Sequence, residues 1–189
     1  MDGEQWHGLL VRPDFERIAA LHLAKKDIES YLPLLPGREQ SDSKTPATEL
    51  PLFPGYVFCK CDVRRAVWTI PGVLAWVGRA NGIHAISERQ ITDLRRILAA
   101  RFDIQPWPFT PQGRRVRIEV GPLAGISGIL QESADTRCFI FSIQLIRRSI
   151  ALSLNTTASS HFAREHQEIL TSRRMPDSRG ACIIRSHVN

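Results

Sequence analysis

Residues able to do covalent chemistry are few, and their spacing is wrong for it. The cysteines Cys59, Cys61, Cys138 and Cys182 form no CxxC pair and have no histidine at zinc-ligand spacing. Cys59 and Cys61 are two apart and share one face of any strand, which suits two small core residues better than a metal site. His161 and His166 are five apart, off the i, i+4 spacing that sets two ligands on one helix face. Gly121-Pro122-Leu123-Ala124-Gly125 lacks the Lys-Ser/Thr of a phosphate-cradling loop, and no Ser-His-Asp grouping stands out. No metal, cofactor or catalysis is expected.

What remains is the chemistry of surfaces. Phe53, Tyr56 and Phe58 gather around Pro54-Gly55, three aromatics near one strand start. At the surface they would make an apolar docking hollow with a polar-tipped ring; as residues alone they read rather as core, because Tyr56 and Phe58 share one strand face. Arg12, His22, Lys25 and Lys26 could touch the phosphates or bases of a single strand, or could be an ordinary solvated helix face. The net charge is +6 and the pI about 9.6, which makes a polyanion a candidate partner. That charge is spread along the chain, with 14 basic against 13 acidic groups in residues 1–105, 6 against 3 in 106–157 and 5 against 3 in 158–189. A bulk polybasic arm is excluded, so any nucleic-acid site must be a local patch.

The elements that must position these residues follow from periodicity. Trp6–Arg12 reads as a strand, Pro13 as the start of a helix to about Ser30, and Tyr31–Leu35 as a second strand. Arg38–Thr48 reads as a surface loop. A strand should leave the Pro54-Gly55 turn, a short helix should cover Arg64–Ile70, and Val73–Gly78 should be the next strand. Ser87-x-x-Gln90 has the form of a capping box, with Ile91, Leu94, Ile97 and Leu98 on one helix face from about Glu88 to Arg101. Gln105–Pro111 carries three prolines and reads as a stiff extended linker. Arg115–Val120, Ile126–Gln131, Cys138–Leu145 and Ser149–Leu154 are four short strands suited to a small barrel. The fold class expected is α+β, an antiparallel sheet with flanking helices over 1–104, a linker over 105–112, a barrel over 113–157 and a weakly ordered basic tail over 158–189. No apolar stretch approaches the ~20 residues of a membrane span. The acidic start Met1-Asp2-Gly3-Glu4 is unlike a signal peptide, so a cytoplasmic monomer is expected.

Two motifs carry a family resemblance. Leu52-Phe53-Pro54-Gly55-Tyr56-Val57-Phe58, with Trp6 upstream and Pro71-Gly72-Val73 downstream, resembles the N-terminal domain of NusG-type transcription elongation factors. Gly113-x-x-Val116-x-Ile118-x-x-Gly121-Pro122-Leu123-x-Gly125-x-x-Gly128-x-Leu130 resembles a KOW motif, the signature of that family's C-terminal SH3-like barrel. The start Val11-Arg12-Pro13-Asp14-Phe15-Glu16 departs from the aromatic-Ser-Gly-x-Glu stretch of housekeeping members and favours a specialised RfaH-like or UpxY-like paralogue.

The resemblance implies a factor that binds without chemistry and suppresses pausing or termination. Leu10, Phe53, Pro54, Tyr56 and Phe58 match the hollow that receives the clamp helices of RNA polymerase. Arg12, His22, Lys25 and Lys26 match positions that read non-template DNA in specialised members. Ile126, Leu145, Ile146 and Arg148 match barrel positions that meet Rho or a small-subunit ribosomal protein. Some related barrels refold into a helical hairpin; here the β-branched and aromatic run Phe139–Ile143 and the glycines at 121, 125 and 128 favour a plain barrel. A ribosome-associated KOW-type RNA-binding protein is the alternative reading.

Overall fold

Alternating apolar residues on two long strands set the frame of the N-terminal half. In the computed structural model, which describes residues 4–35, 49–63, 67–79, 82–100, 102–109, 113–132, 137–153 and 183–186, the elements follow in order. They are β1 (Gln5–Val11), α1 (Glu16–Ala24), β2 (Glu29–Tyr31), β3 (Leu34–Leu35), β4 (Leu50–Pro51), β5 (Tyr56–Cys61), a 3₁₀ turn (Val67–Thr69), β6 (Val73–Trp76), β7 (Gly78–Arg79), β8 (Gly82–Ile83) and α2 (Glu88–Ala99). The expected loop over 38–48 and the segment 64–66 of the expected short helix lie outside the described residues.

The main sheet is antiparallel in the order β2-β5-β1-β6. Its register sorts side chains onto two faces, since directly paired residues point the same way. Leu9 pairs with Val57 and Trp76, and His7 with Cys59; this face carries α1, and Leu9, Val57, Cys59, Ala19 and Leu23 are fully buried in one cluster with Ile28, Val67 and Ile70. Each large aliphatic side chain so buried contributes roughly 1.5–3 kcal/mol. Leu10 pairs with Tyr56 and Ala75, Gly8 with Phe58, and Phe58 with Tyr31, which together define the opposite face.

Helix α1 is shorter at both ends than its periodicity suggests. Pro13 and Asp14 form the corners of a turn closed by Phe15 N–H on the Arg12 carbonyl (3.1 Å), with Asp14 at φ 67, so Pro13 precedes the helix instead of opening it. At the far end Asp27 adopts φ 55, and the Asp27 and Ile28 amides bond back to the Ala24 and Leu23 carbonyls in a Schellman arrangement. The expected strand Tyr31–Leu35 is likewise split, because Pro33 has no N–H for a ladder. In α2 the capping box forms, with the Gln90 amide donating to Ser87 Oγ (3.3 Å).

Two compact units divide the chain, Met1–Arg95 with Gln144–Ile146 and Arg96–Ile143 with Arg147–Asn189. The second holds β9 (Ile104–Trp107), β10 (Arg114–Val120), β11 (Ser127–Glu132), β12 (Arg137–Ile143), β13 (Arg148–Ser153) and β14 (Ile183–Ser186). They form one antiparallel sheet in the order β14-β10-β11-β12-β13-β9. The four expected strands are all present, and Phe139–Ile143 is strand as expected. Their buried face carries Val116, Ile118, Phe139, Phe141, Ile150 and Leu152, together with Leu123 and Ile126 from the glycine-bearing turn. Two corrections concern its edges. Gln105, Pro106 and Trp107, expected as linker, pair with Ala151, Ile150 and Ser149; a proline is tolerated there because the strand is at the sheet's edge. Ile183–Ser186, expected within a weakly ordered tail, form a strand against β10.

Buried polar groups in the first unit are matched. Burial holds the His7 imidazole below its ordinary value of 6.5, against the opposing pull of the His84 carbonyl (Nδ1 to O, 3.4 Å), and Trp76 packs edge-on at 5.5 Å. The unfolded chain therefore binds the proton more readily, so the contribution of His7 is complete above about 6.5 and declines as pH falls through and below that value. Urea midpoints should drop between pH 7.5 and 5.5, and His7→Gln should flatten that dependence. Gly55 (φ 82) and Gly72 (φ 84) offer a paired test: a Cβ at Gly72 would lie 2.5 Å from the Phe15 side chain, whereas at Gly55 the nearest atom is 3.6 Å away. Gly55→Ala should cost about 1–2 kcal/mol of backbone strain, and Gly72→Ala about 1–3 kcal/mol more, read from urea unfolding.

Candidate functional site

The Phe53–Tyr56 turn is held from three sides. Tyr56 N–H closes it on the Phe53 carbonyl (3.1 Å), Val11 N–H donates to the Gly55 carbonyl (2.9 Å), and Gly55 N–H donates to the carboxylate of Glu16 (2.7 Å). Glu16 is itself buried at the first turn of α1. One carboxylate thus fastens the start of the helix to the start of β5, where a hydrogen bond to a charged acceptor is stronger than a neutral one. Arg12 N–H bonds to the Gly72 carbonyl (2.7 Å), which fixes the end of β1 to the approach to β6.

The aromatics above this turn divide between core and surface. Phe53 and Phe58 are buried, their rings edge-on at 6.3 Å, and Phe58 stacks against Tyr31 at 6.4 Å. The expectation that both line an open hollow is therefore corrected: they are buried beside it. Next to them, side chains of α2 reach the same sheet face. Arg95 lies over the rings of Trp6 (5.1 Å) and Tyr31 (4.9 Å) and pairs with Glu29 (3.2 Å). Glu88 accepts from Trp6 Nε1 (3.0 Å) and Lys60 Nζ (2.9 Å). The Lys60 and Trp6 bonds hold the Glu88 carboxyl below its usual range, the Glu88 bond holds Lys60 above its own, and burial pushes the Tyr31 phenol up to about 12.

Beyond the reach of those contacts a row of half-buried residues crosses three strands. Tyr56, Leu10 and Ala75 are direct register partners on β5, β1 and β6, and Pro54 stands exposed beside Tyr56. This row is the apolar surface of the site. Arg12, Lys25 and Lys26 are exposed and His22 is half-buried. Arg12 precedes α1, with its guanidinium over Phe15 at 5.5 Å, while His22, Lys25 and Lys26 cluster around the helix end, roughly 13 Å further along by helical rise. They flank the helix instead of forming one compact patch. Of the partner candidates, Ile126 in the second unit is buried in the turn between β10 and β11 and Arg148 is exposed, while Leu145 and Ile146 fall in the stretch grouped with the first unit, Leu145 half-buried and Ile146 buried.

Several functional parts were not legible from the residues. Glu16 was readable only as an acidic residue in a helix's first turn, which gives no hint of a bond to Gly55. Ala75 is an unremarkable strand residue until the register places it beside Leu10. Cys59 and Cys61 are buried with sulfurs 3.9 Å apart, and their mutual hydrogen bond followed by burial pushes the Cys59 thiol up, consistent with inert core residues. Cys138 is also buried, while Cys182 and the His161/His166 pair lie outside the described residues. Among the described residues no group of three or more His, Cys, Asp or Glu could hold a metal ion.

Known proteins share these features. Residues 4–95 match the NusG family, described as transcription termination factor nusG. Two curated relatives from two strains of Helicobacter pylori, each named transcription termination/antitermination protein NusG, are 33% and 32% identical over 94 residues, which is 48% of this chain and 53% of each relative. The chain spans about half the length of the curated relatives it matches. A solved structure described as domain interaction in Thermotoga maritima NusG is 18% identical, with a TM-score of 0.46, covering 82% of this chain and 94% of that one. The similarity to the NusG family thus spans residues 4–95, just under half of the chain.

Removing the Glu16 carboxylate should test the turn directly. Glu16→Ala leaves the buried Gly55 N–H without its acceptor and should lower stability by about 1–3 kcal/mol, while Glu16→Gln, which keeps an acceptor oxygen, should lose less. Chemical unfolding of the two variants side by side is the measurement.

Proposed function

We propose that this chain, with its NusG-family segment, is a transcription elongation and antitermination factor that docks on RNA polymerase through the Tyr56–Leu10–Ala75 row and Pro54. The observation that carries this reading is the row itself: three accessible apolar positions in direct register, on strands whose turn is locked by Glu16 and beside which Phe53 and Phe58 are packed. A rigid apolar platform with one polar-tipped ring suits the groove of a helical hairpin such as the polymerase clamp helices, and small, well-supported apolar patches commonly dominate binding energy.

Binding of this kind needs no catalytic group. A factor that holds the clamp in one state shifts the polymerase equilibrium only by its differential affinity for closed and open forms, which is how it would suppress pausing or termination. Arg12 and the cluster of His22, Lys25 and Lys26 would flank the docked helix and contact non-template DNA. Leu145 and Arg148 are the accessible members of the set proposed to recruit Rho or a small-subunit ribosomal protein; Ile126 and Ile146 are buried. The place of action is wherever the polymerase works, the bacterial cytoplasm. Among the described residues no helix is long and apolar enough to cross a membrane.

The test is binding of the full chain to core RNA polymerase. Tyr56→Ala and Ala75→Glu, checked for folding by circular dichroism, should each weaken binding about tenfold or more, roughly 1.4 kcal/mol. Lys25→Ala should leave core-enzyme binding intact and weaken only complexes that carry exposed non-template DNA. A folded wild-type chain that ignores the polymerase would overturn the proposal.

A further inference from the structure

The outer side of β10 is closed by a strand drawn from far along the chain. β14 pairs antiparallel with it through Val116↔Ser186, Arg117↔Arg185, Ile118↔Ile184 and Val120↔Ile183, with a register slip between Ile118 and Val120. Twenty-nine residues, 154–182, separate β13 from β14, whereas six, four and four residues connect the strands from β10 to β13.

Three features of the pairing make it a weak occupant. It is only four residues long, and the slip interrupts its ladder. Its register sets Arg185 opposite Arg117, two residues of like charge in facing positions, an arrangement that disfavours a sheet. The exposed positions of β10 are Arg114, Arg115 and Arg117, with the acidic Glu119 at the register slip, and the buried Val116 and Ile118 alternate with them. An edge of this kind is complementary to an extended segment with apolar residues at alternate positions and an acidic residue opposite Arg117.

We propose that the outer edge of β10 is a strand-accepting site for an extended acidic protein segment, which displaces the chain's own Ile183–Ser186. Backbone ladder bonds would supply affinity, and the acidic residue against Arg117 would supply the preference over the resident strand. The site is separate from the polymerase-docking row and does not depend on that reading.

A labelled nine-residue peptide is the probe, copying residues 181–189 with Cys182→Ser and Arg185→Glu. Fluorescence anisotropy against the full chain should show saturable binding, about tenfold tighter to an Ile184→Pro chain whose own strand cannot complete its ladder, and about tenfold weaker to Arg117→Glu. The same peptide with proline at the Ile184 position, equal in charge but unable to form the ladder, should not bind. In the full chain, Arg185→Glu should slow amide exchange along β10 and reduce peptide binding, a readout that does not require the resident strand to be broken. Equal binding by the proline peptide would reduce the effect to charge alone and overturn the proposal. So would a folded Ile184→Pro chain that fails to bind, or β10 exchange unmoved by Arg185→Glu.

Discussion

The buried carboxylate of Glu16 is the joint on which the first unit turns. A charged group taken out of water must find donors, and Glu16 finds the Gly55 amide at 2.7 Å. That requirement fixes where α1 begins relative to β5. Val11 then secures the opposite side of Gly55, so the central strands are registered by the same turn that presents Tyr56 and Pro54. The positive φ at Gly55 and Gly72 lets backbone approach where side chains could not, and both belong to this one junction.

The candidate site is defined by unequal cover on two faces of one sheet. Helix α1 lays Ala19 and Leu23 over Leu9, Val57 and Cys59 in one buried cluster. On the other face, α2 reaches Trp6, Lys60, Glu29 and Tyr31 through Glu88 and Arg95 but leaves the Tyr56–Leu10–Ala75 row half-buried. Phe58 sits between the two regimes, buried by Phe53 and Tyr31, and so stiffens the accessible row without joining it. The ion pairs of Glu88 and Arg95 are too exposed to contribute much stability; their geometry matters more, because it sets where cover ends.

How much of this could be read beforehand depended on the range of the interaction involved. The helix at Glu88–Ala99, the strand through Tyr56–Cys61 and the four central strands of the second unit follow from local periodicity and turn chemistry, and all are where those signals put them. Helix ends were harder, since Pro13 and Asp27 act through backbone conformations that neighbouring hydrogen bonds decide. Burial was harder still. Phe53 and Tyr56 look alike as residues near a Pro-Gly turn, and only tertiary packing makes one core and the other half-buried. The contribution of Ile183–Ser186 to the second sheet had no local signal, because a strand formed across 29 intervening residues depends on a partner the local pattern does not reveal.

Pro106 gives the opposite side of the second sheet a different character. It lies in the outermost strand, opposite Ile150, and brings no N–H to the ladder. A strand added outside β9 would find its hydrogen-bonding pattern interrupted there, with Pro108 close behind to hinder any extension. Open sheet edges are where folded chains begin to stack into fibrils and aggregates. Proline placed in this strand guards one flank of an otherwise apolar, β-rich unit against self-association, and it does so with no charge at the site and no dependence on ionic strength.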